Sequence, residues 1–167
     1  MEHEEPWKVL QNVNEWLRHA DTKASLVLTL DGALIGLIAL RVQGREEFER
    51  QPATTVLLLL ALGLLAASLV ATVLAVAPRT KITGQHWSLL HFGHVGERFE
   101  ARESEFVTEF VALLGDPDAL RREVGSQVWA NSIVGRRKYR HLSWGIRCAA
   151  GAILLIGLAS VVGPFTA

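Results

Sequence analysis

Few residue combinations in this 167-residue chain have the spacing that chemistry needs. Three histidines, His86, His91 and His94, invite a metal interpretation because the last two lie one helical turn apart. Glu97 is the only close acid, and no cysteine is near, so the ligand set of a typical zinc site is incomplete. Polar positions on a half-exposed helix explain these histidines better, and the sequence predicts no metal site.

Catalytic groups are also missing from the sequence. The single cysteine, Cys148, lies in an apolar stretch, which favours a buried, inert thiol over a nucleophile. The chain has no nucleophile elbow, no phosphate-binding glycine loop, no HExxH and no CxxC pair. We therefore expect no catalytic residues and no cofactor, and predict that the protein is not an enzyme.

Asp31 is the only charged residue in the apolar run from Ala24 to Leu40. An acid inside a bilayer costs roughly 2.5 to 3.5 kcal/mol on insertion scales unless it faces a partner or water. It could line a polar path or report on assembly. A protonated or hydrogen-bonded contact between helices is the favoured interpretation. The candidate partners are hydroxyl side chains, namely Thr29, Thr54, Thr55, Ser68 and Ser160.

A basic cluster, Arg136, Arg137, Lys138 and Arg140, stands just before the last apolar block. Anionic lipid headgroups attract such residues by about 1 kcal/mol each, which alone would explain the cluster. Alternatively, the cluster could hold the phosphate diester of a small nucleotide, with Lys23 and His19 contributing from the first helix. The residues alone favour the headgroup explanation.

Three apolar blocks separate the charged segments, and each is long enough to span a bilayer as a helix. The predicted fold is all-α: an integral membrane protein with three transmembrane helices and a cytosolic helical hairpin between the second and third. The predicted segments are an amphipathic N-terminal helix (1–23), transmembrane helix 1 (24–40), an external linker (41–54), transmembrane helix 2 (55–77), a cytosolic helical region (78–141) and transmembrane helix 3 (142–163).

Small residues and helix breakers refine this scheme. The GxxxG step Gly32–Gly36 and the repeat Gly63, Ala67 and Ala71 predict close helix packing faces. No proline interrupts the first helix after Pro6, so it is expected to be continuous into the first span. The run 115–118, Gly-Asp-Pro-Asp, predicts a helix stop followed by a restart. No breaker separates the restarted helix from the third span.

The distribution of charged residues predicts the class of partner and the cellular location of the protein. Lysine plus arginine and aspartate plus glutamate both number 17, and this balance argues against nucleic acid as a partner. The acidic N-terminus does not resemble a signal peptide. Basic residues concentrate in the N-terminal segment and in 79–147, which predicts a multi-pass inner (plasma) membrane protein with its N-terminus in the cytosol and its C-terminus outside. The small polar region would bury too little for an independent core, so we expect a homo-oligomer or packing of this region against the membrane.

Three stretches together resemble the membrane-type Pycsar effector family, the PycTM-like proteins with a DUF5706-type membrane module. These are ADTKAS (20–25) entering the first span, WSLLHFG (87–93) after the second, and Gln127…Ile133…RKYR (137–140) before the third. The resemblance runs from about residue 12 to residue 160. ADTKAS is the most specific of the three.

The resemblance implies antiphage defence by abortive infection. A partner pyrimidine cyclase would make cyclic UMP or cyclic CMP, and the effector would sense it and impair the inner membrane. No family motif fixes the ligand contacts, so Asp21, Lys23, Arg137 and Lys138 are our candidate ligand-binding residues, and Asp31 is the membrane-buried polar residue. The alternative is a constitutive membrane scaffold or SLATT-like module with no ligand of its own.

Overall fold

The structure is a computed structural model that describes residues 5–41, 51–77 and 87–162. The described residues form five helices and no strand: α1 (Glu5–Arg41), α2 (Pro52–Val76), α3 (Phe92–Phe99), α4 (Glu103–Leu114) and α5 (Pro117–Val162). The predicted all-α class is confirmed for this part of the chain. Three of these helices, α1, α2 and α5, are long and apolar enough to cross a membrane.

The chain divides into two compact units, and α1 and α5 contribute residues to both. We call residues 20–77 and 137–167 the span unit, and residues 1–19 and 78–136 the flanking unit. The continuous first helix and the uninterrupted passage of α5 into the third apolar block are both as predicted.

The span unit packs its three helices through two apolar clusters. One is built around Ile38, Leu65 and Ala152, and the other joins Ala24, Ala75 and Leu142. Small side chains are frequent in both clusters, as expected where helix backbones approach closely in a membrane. Leucines and valines on the outward faces stay exposed, which suits helices that face lipid.

The closest approach of two helices lies at Gly145, where α5 meets α2. A Cβ built on Gly145 would collide with Oγ1 of Thr72 and would lie 3.3 Å from the carbonyl oxygen of Ser68. Six residues further on, a Cβ on Gly151 would lie 3.1 Å from Cδ1 of Leu64. Glycines of the third span therefore permit this contact.

The predicted packing faces differ from this observed one. A Cβ on Gly32, Gly36 or Gly63 would meet nothing within 4 Å, so within one chain these faces are open. Ala67 is likewise exposed. The predicted close packing of these faces is therefore not made within one chain, where α2 turns a different stripe inward, and it stays a prediction for contacts between copies. That buried stripe comprises Thr55, Leu58, Ala61, Leu65, Ser68, Thr72 and Ala75.

In the flanking unit, the first part of α1 pairs with the first part of α5. The side-chain amide of Asn131 donates to Oδ1 of Asn14 over 2.8 Å. Leu17 lies against Gly135, and Ala130 is fully buried. Gln127, part of one stretch that carries the family resemblance, is also buried here.

The helix boundary predicted at residues 115–118 is confirmed: α4 ends before it and α5 begins at Pro117. Oδ1 of Asp116 accepts hydrogen bonds from the backbone N–H groups of Asp118 and Ala119, and Pro117 is the first helical residue. The hydrogen bond from Ala119 is the main reason that the pKa of Asp116 lies below its ordinary value. Ala101, in the break between α3 and α4, adopts φ 60°, a left-handed conformation that the sequence did not indicate.

Some predictions fall on residues outside the described ranges. They include most of the external linker (41–54), the segment from Pro78 to His86 with its candidate ligand His86, and Gly163 at the end of predicted transmembrane helix 3. The cytosolic position of the hairpin and the membrane orientation stay predictions.

We expect Gly145→Ala to destabilise the span unit by about 1 to 3 kcal/mol, because the added methyl overpacks against Thr72 and the backbone at Ser68. Gly157→Ala in the same helix is the matched control. Its Cβ would meet nothing within 4 Å, so only the gain in helix propensity applies. Unfolding of both variants by SDS titration in mixed micelles measures the difference. Equal stability of the two variants would contradict the close approach.

Candidate functional site

An ion pair joins two of the predicted ligand residues at one end of the span unit. Nζ of Lys138 lies 2.5 Å from Oδ1 of Asp21, which places α5 directly against α1. The Lys138 side chain is mostly buried, with 18% of its surface exposed, and that of Asp21 is 44% exposed. The lysine charge is therefore neutralised from one side while the carboxylate still reaches solvent.

The ADTKAS stretch explains why these two groups meet. Ala20 and Ala24, one turn apart, are buried at 3% and 1% exposure, and so bring α1 close to its neighbours. Asp21 follows on the edge of that buried face. Leu142, one turn beyond Lys138, packs into the cluster with Ala24 and holds α5 in register. Two small residues thus bring the helices close enough for the intervening acid to reach the lysine.

Lys23 and Arg137 do not join this pair. Two residues of α-helix separate Asp21 from Lys23, a rotation of about 200° about the helix axis, so their side chains leave opposite faces of α1. Lys23 and Arg137 are exposed, and among the described residues neither has a recorded hydrogen-bond or ion-pair partner. The structure therefore brings together Asp21 and Lys138 of the four predicted residues, and leaves Lys23 and Arg137 as solvent-facing cations.

Asp31 is fully buried, and its partner is one of the hydroxyls named from the sequence. Oγ of Ser68 donates to Oδ2 of Asp31 over 2.7 Å. Thr29, Thr55 and Ser160 instead donate to the carbonyl oxygens four residues before them in their own helices. This is the inter-helix contact that the sequence favoured, and in this structure Asp31 does not face an open polar path.

The WSLLHFG stretch builds a compact turn before α3. The backbone N–H of Ser88 donates to Nδ1 of His94 over 3.1 Å, and Oγ of Ser88 accepts from the N–H of Leu90. The ring centroids of His91 and His94 lie 4.7 Å apart. Nδ1 of His94 already accepts a hydrogen bond from the backbone, and His91 packs against the His94 ring. Both histidines therefore have a structural role in this turn.

Burial lowers the pKa of His91, and the neighbouring His94 lowers it further. A neutral imidazole is thus favoured at this position in the folded protein. The folded state binds this proton less readily than the unfolded state, so the contribution of His91 to stability is lost as pH falls below about 6.5.

Comparison with known proteins identifies the family. A model of the Pycsar effector protein domain matches residues 6–163. The chain is 31% identical over 169 residues to Pycsar effector protein PtPycTM of Propioniciclava tarda, an alignment that covers 97% of this chain and 76% of the relative. The chain belongs to the Pycsar effector family. Pycsar effector protein MePycTM of Micromonospora echinofusca is 40% identical over 50 residues, 30% of this chain and 85% of that protein. No solved structure matches with significance.

Three features of this Pycsar effector were not anticipated from sequence. They are the Asn14–Asn131 hydrogen bond, the burial of Thr72 beside Ser68, and the close approach at Gly145. A usable signal existed for the second: Ser68 and Thr72 are one helical turn apart in an otherwise apolar span, which places both hydroxyls on one face.

The Asp21–Lys138 pair can be tested by a double-mutant cycle with Asp21→Asn and Lys138→Met, which keeps the aliphatic stem. We expect a coupling free energy of about 1 kcal/mol, at the upper end of the range for surface pairs, because Lys138 is mostly buried. The exposed Arg102–Glu105 pair, with Arg102→Met and Glu105→Gln, is the control cycle and should give a smaller coupling. Denaturation of the purified protein measures both, and zero coupling for Asp21–Lys138 would contradict the geometry.

Histidine-selective NMR should show His91 titrating at lower pH than an unstructured histidine peptide, since its surroundings disfavour the charged imidazolium. The variant His91→Gln assigns the resonance, and should also flatten the decline in stability on acidification below about pH 6.5. A midpoint equal to or above that of the peptide would contradict this prediction.

Proposed function

We propose that this Pycsar effector senses a cyclic pyrimidine nucleotide, cyclic UMP or cyclic CMP, and responds by impairing the inner membrane, so that the infected cell dies before phage spreads. Family membership over residues 6–163 is the observation that carries the proposal. Three helices long and apolar enough to span a bilayer support a membrane target. A pyrimidine cyclase is the functional partner that supplies the ligand.

The protein acts in this proposal by binding and rearrangement rather than by catalysis. A ligand shifts a conformational equilibrium only through its different affinity for the two states. The N-terminus lies in the cytosol, where the nucleotide is made, in keeping with the basic residues on that side of the predicted spans.

The proposed binding residues are Asp21, Lys23, Arg137 and Lys138. Lys23 and Arg137 offer exposed positive charge to a phosphate diester. Lys138 is already paired with Asp21, so an anionic ligand reaching this lysine must compete with the carboxylate. Displacement of Asp21 would loosen the α1–α5 contact at this end of the span unit, which gives ligand binding a physical route to the helices.

Assembly into a homo-oligomer completes the proposal. The Gly32–Gly36 face and the Gly63–Ala67 face are open within the single chain. Small residues on a lipid-facing helix allow close approach of a second helix. Both faces thus suit contact with further copies of the protein.

Calorimetry on the detergent-solubilised protein tests ligand recognition, with cyclic AMP as the control ligand. We expect selective binding of cyclic UMP or cyclic CMP. Arg137→Glu and Lys138→Met should each weaken it by roughly 10- to 100-fold, the usual cost of losing a hydrogen bond to a charged group. Asp21→Asn should tighten binding, because it removes the competitor of the phosphate.

Asp118→Asn is the control variant. It removes the carboxylate from the exposed Asp118–Arg121 ion pair and should leave nucleotide binding unchanged. Dye release from vesicles containing the protein measures the membrane response to the same ligands. Folded protein that binds none of the three nucleotides would favour the scaffold alternative. Undiminished nucleotide binding by both Arg137→Glu and Lys138→Met would leave the proposed function in place but reject these two residues as ligand contacts.

A further inference from the structure

A cluster of buried polar side chains lies inside the span unit, away from the proposed ligand residues. Asp31, Ser68 and Thr72 each have 0% of their surface exposed. Ser68 donates to Oδ2 of Asp31, while Oδ1 of Asp31 and Oγ1 of Thr72 have no hydrogen-bond partner within the described ranges. A buried carboxylate oxygen without a donor is rare, because its desolvation is then uncompensated.

No cation compensates Asp31 in the described part of the span unit. Between Ala24 and Leu40 of α1 there is no other titratable residue, and α2 contains none. On α5 from His141 to its end the titratable or charged residues are His141, Arg147 and Cys148. None of these makes a recorded contact with Asp31, and the guanidinium of Arg147 instead lies 5.8 Å from the ring centroid of Trp144.

Apolar layers close the cluster off in both directions along the helices. The cluster of Ala24, Ala75 and Leu142 lies on one side, and that built on Ile38, Leu58 and Ala61 on the other. On α1, Ala24 and Ile38 are equally far along the sequence from Asp31. The carboxyl is therefore at the middle of the packed helices, where an unpaired negative charge is costly.

We propose that Asp31, Ser68 and Thr72 form a buried proton-binding site, in which the Asp31 carboxyl carries a proton for as long as the three helices stay packed. Ser68 marks Oδ2 as the carbonyl oxygen, since it donates there, and the proton resides on Oδ1. Protonation removes the negative charge that no neighbouring group balances. The Thr72 hydroxyl, one turn from Ser68 on the same face of α2, is buried beside Gly145 without a hydrogen-bond partner in the described residues and adds a second polar group to this face.

This site links proton binding to helix packing. The packed state holds a proton on the Asp31 carboxyl. When the helices are unpacked, the carboxyl has the ordinary aspartate pKa of about 3.9 and releases this proton at neutral pH. Stability of the span unit therefore falls as pH rises, the opposite sign to the contribution of His91. The inference concerns the protein without nucleotide and does not rest on the proposed function.

Infrared spectroscopy of the full-length protein in lipid nanodiscs at neutral pH tests the proposal directly. The wild type should show the carbonyl stretch of a protonated carboxylic acid, above the amide I band, and Asp31→Asn should lack it. Asp118→Asn, which alters an exposed carboxylate, should retain the band. Wild-type and Asp31→Asn spectra that coincide in this region would overturn the proposal.

Two further measurements keep the test decisive if Asp31→Asn fails to fold. Ser68→Ala should move the same band to higher frequency, because the carbonyl oxygen loses its hydrogen bond, whereas Thr29→Val, at an exposed hydroxyl bonded within its own helix, should not. For the linkage, the unfolding equilibrium constant of the wild type should rise about tenfold per pH unit above about pH 4, because only the packed carboxyl holds the proton; where Asp31→Asn folds, the ratio of the two constants isolates this dependence. An unshifted band in Ser68→Ala, or a pH-independent ratio, would reject the site.

Discussion

The organisation of the span unit depends on how closely α2 and α5 approach at Gly145. Because that residue has no side chain, the helix carrying Ser68 and Thr72 can lie almost backbone to backbone against α5. The two hydroxyls are thereby sealed from the surroundings, and one of them is presented to Asp31 on α1. A longer separation of the helices would admit lipid or water beside a carboxyl that the present packing isolates.

The contacts of α1 with Lys138 and with Ser68 in the span unit differ in character because their environments differ. The pair of Asp21 with Lys138 lies at an edge where the carboxylate still meets solvent, so an ionic competitor can exchange with it. The bond between Ser68 and Asp31 lies between apolar layers, where breaking it leaves two polar groups without partners. The Asp21–Lys138 pair can thus be broken by a competing ion while the Ser68–Asp31 hydrogen bond stays formed.

Sequence patterns anticipated the features that depend on local rules. Helix continuity from Pro6, the stop and restart around Asp116, the three apolar spans and the membership of the Pycsar effector family all follow from runs, breakers and short motifs. Ser68 was one of several hydroxyl partners considered for Asp31, but periodicity could not select among them, because the choice depends on the rotation of α2 about its axis. For the same reason periodicity could not show that the small-residue faces at Gly32 and Gly63 stay open within the chain while α2 turns its Thr55–Ala75 stripe inward. The candidate ligand residues were predicted as one group, but helix geometry separates Lys23 from Asp21.

The hydroxyls on the outer faces of the helices affect how compatible a single copy of the protein is with the surrounding lipid. Ser25, Thr29 and Ser160 are exposed, yet each donates to a carbonyl oxygen of its own helix. Their hydrogen-bonding capacity is used before any second molecule arrives, so a solitary copy meets lipid without an unmet polar group on these positions. Association through the neighbouring glycine faces is then a matter of shape and of the number of copies per membrane area. Such contacts obey mass action, and their extent rises and falls with expression level and with the lipid available to dilute the protein.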